Sequence, residues 1–147
     1  MKALLKKLTQ SETGYAALAL RFPIGIIFIA HGAQKLFGWF GGYGLDGTGQ
    51  WMESIGLAPG VLMALLAGSA EFFGGVFILL GLLTRPAAIA LAGTMIVAIF
   101  SAHLSNGLFM SNNGYEFGLA LLAASVSLAF SGAGKLALDS VISKKLV

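Results

Sequence analysis

Four long apolar runs constrain the fold of this chain more than any other feature. They cover about residues 15–36, 60–83, 86–104 and 115–130 of the 147 residues. A transmembrane helix needs roughly 20 mostly apolar residues, and the first three runs approach or exceed that length. None of the runs alternates apolar and polar residues, as membrane-spanning strands do. The pattern therefore predicts transmembrane helices, of which the last and shortest is the least sharply bounded.

The composition supports the same conclusion. Hydrophobic residues make up 57% of the chain and charged residues only 10%, against about 25% charged residues in a typical soluble domain. We therefore predict an all-α integral membrane protein in which a single domain, residues 1–147, forms a four-transmembrane-helix bundle. The chain has no cysteine, which excludes disulfides, thiolate metal sites and iron–sulfur ligation.

The basic residues lie mainly at the ends of the apolar runs, which argues against a nucleic-acid partner despite the net charge of +3. Seven Lys and Arg residues fall in the two tails and in the loop between runs two and three, whereas the other loops contain only Lys35. Because cytoplasmic loops carry the excess of Lys and Arg, both termini are predicted to face the cytoplasm. Arg21 and Pro23 interrupt the first apolar run, which favours an uncleaved first span over a signal peptide.

The longest loop, about residues 38–58, is then predicted to lie on the outer side. It contains GTGQWMESIGL, which could form a short interfacial helix with Trp51 and Met52 at the boundary between water and lipid. The stretch GYGLDG at residues 42–47 matches GxGxxG. No strand precedes it, so it is interpreted as a glycine loop rather than a dinucleotide site.

Helix-boundary residues flank the runs. Pro59 and Pro86 precede or begin runs two and three, where a missing N–H costs little. Thr84 is predicted to cap run three. Asn113, with Glu116 three residues later, resembles a capping box at the start of run four.

Run two carries an acidic residue, Glu71, near the middle of the predicted membrane span. Small residues lie within about 60° of Glu71 around the helix, and bulky ones lie on the far side. Small residues let helices approach closely in lipid, so Glu71 is predicted to point into the bundle. The same small face could instead pack two copies of the chain together. Its members are Ala64, Ala67, Gly68, Gly74, Gly75 and Ile78.

Run one places polar residues on one broad face, including Arg21, His31 and Lys35. The topology predicts that Glu71 lies at a depth between Arg21 and His31. Ionisable residues inside a membrane are functional candidates, although an Arg–Glu or His–Glu pair could simply fix the helix register. Lys35 also suits an interfacial anchor.

Two histidines, His31 and His103, fall toward the outer ends of their helices. Histidines on two helices could hold a haem or a metal. No HxxxH or HxxE spacing is present, so neither ligand is expected. We expect Glu71 and His31 as catalytic residues and four further residues to bind a ligand, with Glu116 also suited to a plain helix start. These four are Arg21, Lys35, His103 and Glu116.

Arg, His and Glu around a dry cavity suit a quinone, whose two carbonyl groups accept hydrogen bonds and whose reduction requires protons. Histidine can donate near neutral pH, and a buried acid can relay protons. The same residues also suit a proton-coupled transporter or channel, so both readings stay open at this point.

A set of short motifs in order resembles the DoxX family along almost the whole chain. In the first half these are R21, H31-G-x-x-K35-L-F-G38, G47-T, W51-M and I55-G-L. In the second half they are E71-F-F-G-G75, G81-L-L-T-R85-P, H103, G114-Y-E116 and S131-G-A-G-K-L-A-L-D139.

The resemblance implies a four-helix protein of the bacterial inner membrane. Members are often described as oxidoreductases, the family takes its name from a subunit of an archaeal thiosulfate:quinone oxidoreductase, and others are linked to quinone or oxidative stress. It implies no agreed catalytic residues. We therefore expect a quinone-linked redox role. The alternatives are an anchor that holds a soluble redox enzyme and a small-solute transporter, and a homo-oligomer also remains open.

Overall fold

The structure, a computed structural model, describes residues 2–10 and 14–145. Within these residues the chain contains helices and no strand. The seven α-helices are α1 (Lys2–Thr9), α2 (Ala16–Phe37), α3 (Gly44–Ser54), α4 (Gly60–Leu80), α5 (Thr84–Ala98), α6 (Glu116–Ser131) and α7 (Leu138–Lys145). One turn of π-helix, Ile99–His103, continues α5, and three short 3₁₀ turns lie in the loops.

Three helical stretches are long and apolar enough to cross a membrane, namely Ala16–Phe37, Gly60–Leu80 and Thr84–Asn106. The shorter α6 is the fourth apolar helix. Helix α2 packs mainly on α4, while α5 packs on α6 and α4, and a smaller α2–α6 contact closes the bundle. The all-helical prediction and three of its spans are confirmed. The side of the membrane on which each terminus lies stays a prediction.

Glycines set the closest approach in the bundle, between α2 and α4. A Cβ atom added to Gly32 would lie 2.3 Å from the backbone nitrogen of Phe72, and one added to Gly75 would lie 2.7 Å from that of Ile29. The predicted small face of run two is therefore used inside the chain, against α2. Its outer face exposes large side chains such as Leu62 and Phe73, as predicted.

Two predicted boundaries shift for local reasons. Helix α4 ends at Leu80, because Gly81 adopts a left-handed conformation with φ 63° that terminates it. The third span begins at Thr84 and runs through the π turn. Helix α2 continues through Pro23.

Both capping predictions are wrong. The hydroxyl of Thr84 is buried without a hydrogen-bond partner among the described residues. Instead, the carboxylate of Asp139 accepts hydrogen bonds from the backbone N–H groups of Leu83 and Thr84, at 2.7 and 2.9 Å. At the start of α6, Glu116 accepts a hydrogen bond from the N–H of Met110 at 2.7 Å, so it forms no capping box with Asn113.

We call the end of the bundle around Arg21, Arg85 and Asp139 the closed end. The guanidinium of Arg21 is fully buried and donates to the carbonyl groups of Lys135 and Leu136, both at 3.0 Å. Arg85 donates to the carbonyl groups of Gln10, Ala129 and Phe130. These bonds fasten the chain that leaves α6 to the ends of the other helices.

The predicted short helix in the long loop is confirmed as α3. It packs across the start of α4, where Gly49 and Gly60 allow backbone contact. Met52 is buried, whereas the Trp51 side chain is 43% exposed. Helix α3 thus covers the end of the bundle opposite the closed end.

Candidate functional site

A cavity of about 710 Å³ lies between α2, α4, α5 and α6, beneath α3. A volume of this order suits a ligand of the size of a small organic molecule. Its wall is mostly apolar, with Phe28, Met63, Met95, Phe117 and Leu121 among the lining residues. Its polar side chains are His31, Lys35, Glu71, Thr94, Ser101, His103 and Asn113. We call the part of the bundle around this cavity the cavity half.

An ion pair lies in the cavity wall. Lys35 Nζ donates to Glu71 Oε2 at 2.6 Å, with the Glu71 side chain 3% exposed and that of Lys35 22% exposed. Taking a carboxylate out of water is expensive unless a partner compensates it. Lys35 is therefore the partner that Glu71 requires, rather than an interfacial anchor away from the site.

The depth prediction for Glu71 is wrong. Glu71 was expected between Arg21 and His31, but α2 and α4 meet with Gly32 against Phe72 and with Lys35 beside Gly68. This register moves Glu71 toward the α3 end, next to Lys35. Arg21 lies in the closed end, where its Nη1 packs against Gly81, and it does not line the cavity.

His31 projects into the cavity from α2. Its ring packs against Phe117 with the centroids 5.9 Å apart, and its nitrogens have no hydrogen-bond partner among the described residues. The helical spacing of His31 and Lys35 places both on the same face of α2. The cavity wall therefore combines an imidazole that makes no hydrogen bond to the described residues and a neighbouring ammonium–carboxylate pair.

His103 reaches the cavity because the π turn Ile99–His103 ends α5. Such turns recur at functional sites in other proteins. His103 Nδ1 lies 2.9 Å from the carbonyl oxygen of Asn113. Since a carbonyl only accepts, Nδ1 carries the hydrogen, and the other nitrogen of the neutral ring is left as an acceptor. His103 and His31 thus both line the cavity, whereas Glu116 is bonded to the loop backbone.

Sequence reasoning missed several lining residues. Thr94, Ser101 and Gly93 lie on α5 and the π turn, where nothing in the local sequence marks them as different from other small residues of a transmembrane helix. Met52 and Trp51 are predicted from the sequence to lie at a membrane boundary, but both line the cavity. The sequence marks Asp139 only as part of a motif, because its capping of α5 depends on a contact between residues 56 positions apart.

The wall can donate hydrogen bonds from Lys35, accept them at His103, and hold a proton at His31 or Glu71. This is a hydrogen-bonding and proton-handling set rather than a metal set. Among residues 2–10 and 14–145, no group of three or more His, Asp or Glu side chains is placed to hold a metal ion.

The profile of the DoxX family matches residues 16–104. A Bacillus subtilis protein named "Putative oxidoreductase CatD" is 39% identical over 127 residues, which cover 86% of this chain and 87% of that protein. The Escherichia coli inner membrane protein YqjF is 32% identical, with 87% of this chain and 92% of that protein covered. No solved structure matches this chain.

A relative from Mycobacterium tuberculosis, the uncharacterized membrane protein Rv3486, is 31% identical over 150 residues, covering 95% of this chain and 88% of that protein. The similarity therefore extends beyond the matched profile to nearly the full length of the chain. Two of these names place the relatives in a membrane, and the third describes an oxidoreductase.

Proposed function

This chain belongs to the DoxX family, and from that premise we propose that it binds a quinone in the cavity and serves a redox reaction at the bacterial inner membrane. The observation that carries the proposal is the Lys35–Glu71 pair, at 2.6 Å, in the wall of an otherwise largely apolar cavity of about 710 Å³. A buried ion pair seldom adds to stability over a well-packed apolar pair. Its place beside an open cavity favours a role toward a ligand.

The chemistry of the wall fits a quinone. A quinone takes up two electrons and two protons when it becomes a quinol. Lys35 and His31 carry N–H groups that would hold carbonyl oxygens. Glu71 would position the Lys35 side chain through their hydrogen bond and relay protons to the site. His103 presents a ring nitrogen that accepts, which suits a hydroxyl group. The apolar remainder of the wall excludes water and strengthens these polar contacts.

The electrons are proposed to come from a separate redox protein, because the chain offers no cysteine to hold an iron–sulfur cluster and the described residues show no metal-ligand cluster. Such a partner would carry its own reduced cofactor and dock at the membrane surface. This makes the chain the quinone-binding member of a pair, which combines the redox role with the anchor role that the sequence left open.

The topology belongs to the same proposal. We propose that α2, α4, α5 with its π turn, and α6 all cross the bilayer, with both termini and the closed end on the cytoplasmic side. The excess of Lys and Arg in the tails and in the α4–α5 loop supports this orientation. The cavity then lies in the outer half of the membrane, beneath α3.

The test is solvent extraction of the purified protein, followed by chromatographic measurement of bound quinone. We expect a quinone at near-equal ratio to the protein, and at least about a tenfold lower ratio in Glu71→Gln and His31→Ala. Asp46→Asn is the matched control, because Asp46 is an exposed carboxylate outside the cavity. Quinone that is equally retained in all variants, or absent from the native protein and not taken up on addition, would contradict the proposal.

A further inference from the structure

The cavity wall is incomplete between α4 and α5. Three residues at this place, Leu66 on α4 and Gly93 and Val97 on α5, line the cavity and are exposed. Leu66 is 56% exposed and Val97 is 51% exposed. Exposed residues in the lining mark openings of the cavity, so one opening lies at the side of the bundle between α4 and α5.

The opening faces lipid rather than water. Gly74 packs on Leu91 where α4 and α5 cross, and Leu66 and Val97 lie about two turns further along the two antiparallel helices. The surrounding outward side chains are large and apolar, among them Leu62, Leu65, Ile89, Ile96 and Phe100. An exposed apolar surface on membrane-spanning helices is covered by acyl chains, so these chains meet the opening.

Gly93 lies at this opening. A Cβ atom added to Gly93 would meet nothing within 4 Å, whereas one added to Gly68 or Gly74 would contact Leu36 or Leu91. Packing therefore does not require glycine at this position, and the glycine has no left-handed backbone conformation. Gly93 therefore borders open space on the surface of α5.

The polar part of the site lies inside the bundle, and the apolar part leads from it to the outside. The Lys35–Glu71 pair and His31 lie on the walls formed by α2 and α4, and the opening lies on the α4–α5 side. A ligand with a compact polar head and a long apolar chain fits this arrangement, with the head at the ion pair and the chain leading out between α4 and α5.

We propose that the opening between Leu66, Gly93 and Val97 is a lateral entrance through which a long-chain lipid quinone enters from the bilayer, its chain remaining in the opening while its head is bound. This inference rests on the proposed function and adds the class of quinone and its route. A phospholipid acyl chain in the opening, or a head-only quinone that enters beneath α3, are the competing occupants.

The chain offers a built-in probe for the test. It contains two tryptophans, Trp39 and Trp51, and only Trp51 lines the cavity. In the Trp39→Phe background, a bound quinone is expected to quench the Trp51 fluorescence. Two probes are titrated into protein in nanodiscs, a decyl-substituted benzoquinone and the same ring without the chain.

Gly93→Phe places an aromatic ring in the opening, and Ala90→Phe is its matched control, because Ala90 is exposed on α5 but does not line the cavity. We expect Gly93→Phe to weaken binding of the decyl probe about tenfold or more, with the short probe changed less than about threefold. Ala90→Phe should leave both unchanged. If Gly93→Phe binds each probe as tightly as the native chain does, the lateral entrance is wrong, while the proposed quinone binding still stands. Absence of quenching by either probe in the native chain would overturn the proposed function and the entrance with it.

A second measurement tests the lipid exposure without any quinone. Because the chain has no cysteine, Gly93→Cys provides a single attachment site for a nitroxide label. In nanodiscs the label should collide frequently with oxygen, which concentrates in lipid, and rarely with a water-soluble nickel complex. Frequent collision with the nickel complex would show an opening to water and would overturn the entrance from the bilayer.

Discussion

The closed end and the cavity half differ in the groups to which their charged side chains bond. At the closed end, Arg21 Nη2 and Arg85 donate to backbone carbonyl groups, and Asp139 accepts from backbone N–H groups. The other two guanidinium nitrogens of Arg21 are buried without a hydrogen-bond partner among the described residues. In the cavity half, Lys35 and Glu71 have only each other among the residues that the structure describes, and His31 has no hydrogen-bond partner there. Charges that are bonded to the backbone hold the chain together, whereas charges on a cavity wall are available to a ligand.

This difference distinguishes a charged residue that stabilises the fold inside the membrane from one that binds a ligand there. The sequence offered Arg21 and Glu71 as members of one polar site, since both are ionisable residues in apolar runs. The structure places them at different ends, with different partners. Substitutions at the closed end should therefore change stability, and substitutions in the cavity half should change ligand binding.

The largest expected effect is that of Asp139→Ala. Two N–H groups at the start of α5 would lose their acceptor, and the buried Arg21 would lose a nearby negative charge. We expect the free energy of unfolding to fall by about 3 kcal/mol, measured by SDS titration in mixed micelles with circular dichroism. Asp46→Ala, at an exposed position of α3, should cost less than about 1 kcal/mol. Equal effects of the two substitutions would contradict the role given to Asp139.

The second largest effect on stability is expected for a glycine in the contact between α2 and α4, and it is compared with a glycine in the cavity opening. In Gly32→Ala the new Cβ would lie 2.3 Å from the backbone of Phe72, so α2 and α4 must separate, at a cost of about 2 kcal/mol. In Gly93→Ala the new Cβ meets nothing within 4 Å, so stability should not fall. The same SDS titration measures both variants. A loss of stability in Gly93→Ala similar to that in Gly32→Ala would show that the opening is filled.

Reversal of the Lys35–Glu71 pair is expected to change stability little and to weaken quinone binding clearly. The double variant Lys35→Glu/Glu71→Lys keeps opposite charges side by side, so its unfolding free energy should lie within about 1 kcal/mol of the native value. A carboxylate at position 35 would replace the donor that faces the carbonyl oxygens, and quinone binding should fall about tenfold. Fluorescence titration measures the binding. Native affinity in the reversed pair would show that the pair only fixes the register of α2 and α4.

Much of the architecture could be predicted because it depends on local patterns. The apolar runs predict the helices, and the 3.6-residue period places Glu71 on the small face of α4 that packs inward, as the structure confirms. The partner of Glu71 could not be predicted, because it depends on how far α2 slides along α4. Glycines on both helices permit different registers, and close contacts such as Gly32 against Phe72 and Gly75 against Ile29 select one.

The closed end was beyond prediction for a different reason. The bonds of Arg21, Arg85 and Asp139 join residues that are far apart in the chain, and each acceptor or donor on the other side is a backbone group. Backbone groups are the same at every residue, so no side-chain pattern marks them. The left-handed Leu83, with φ 45°, likewise prevents the local cap that Thr84 was expected to provide.

The most direct test compares the two halves in one titration. A decyl-substituted benzoquinone is added to nanodisc-reconstituted protein in the Trp39→Phe background, and Trp51 fluorescence is followed for the otherwise native chain, Glu71→Gln and Asp139→Asn. We predict that Glu71→Gln raises the dissociation constant about tenfold or more, while folded Asp139→Asn stays within about twofold. Native affinity in Glu71→Gln, or an equal loss in both variants, would contradict the division between a structural closed end and a ligand-binding cavity half.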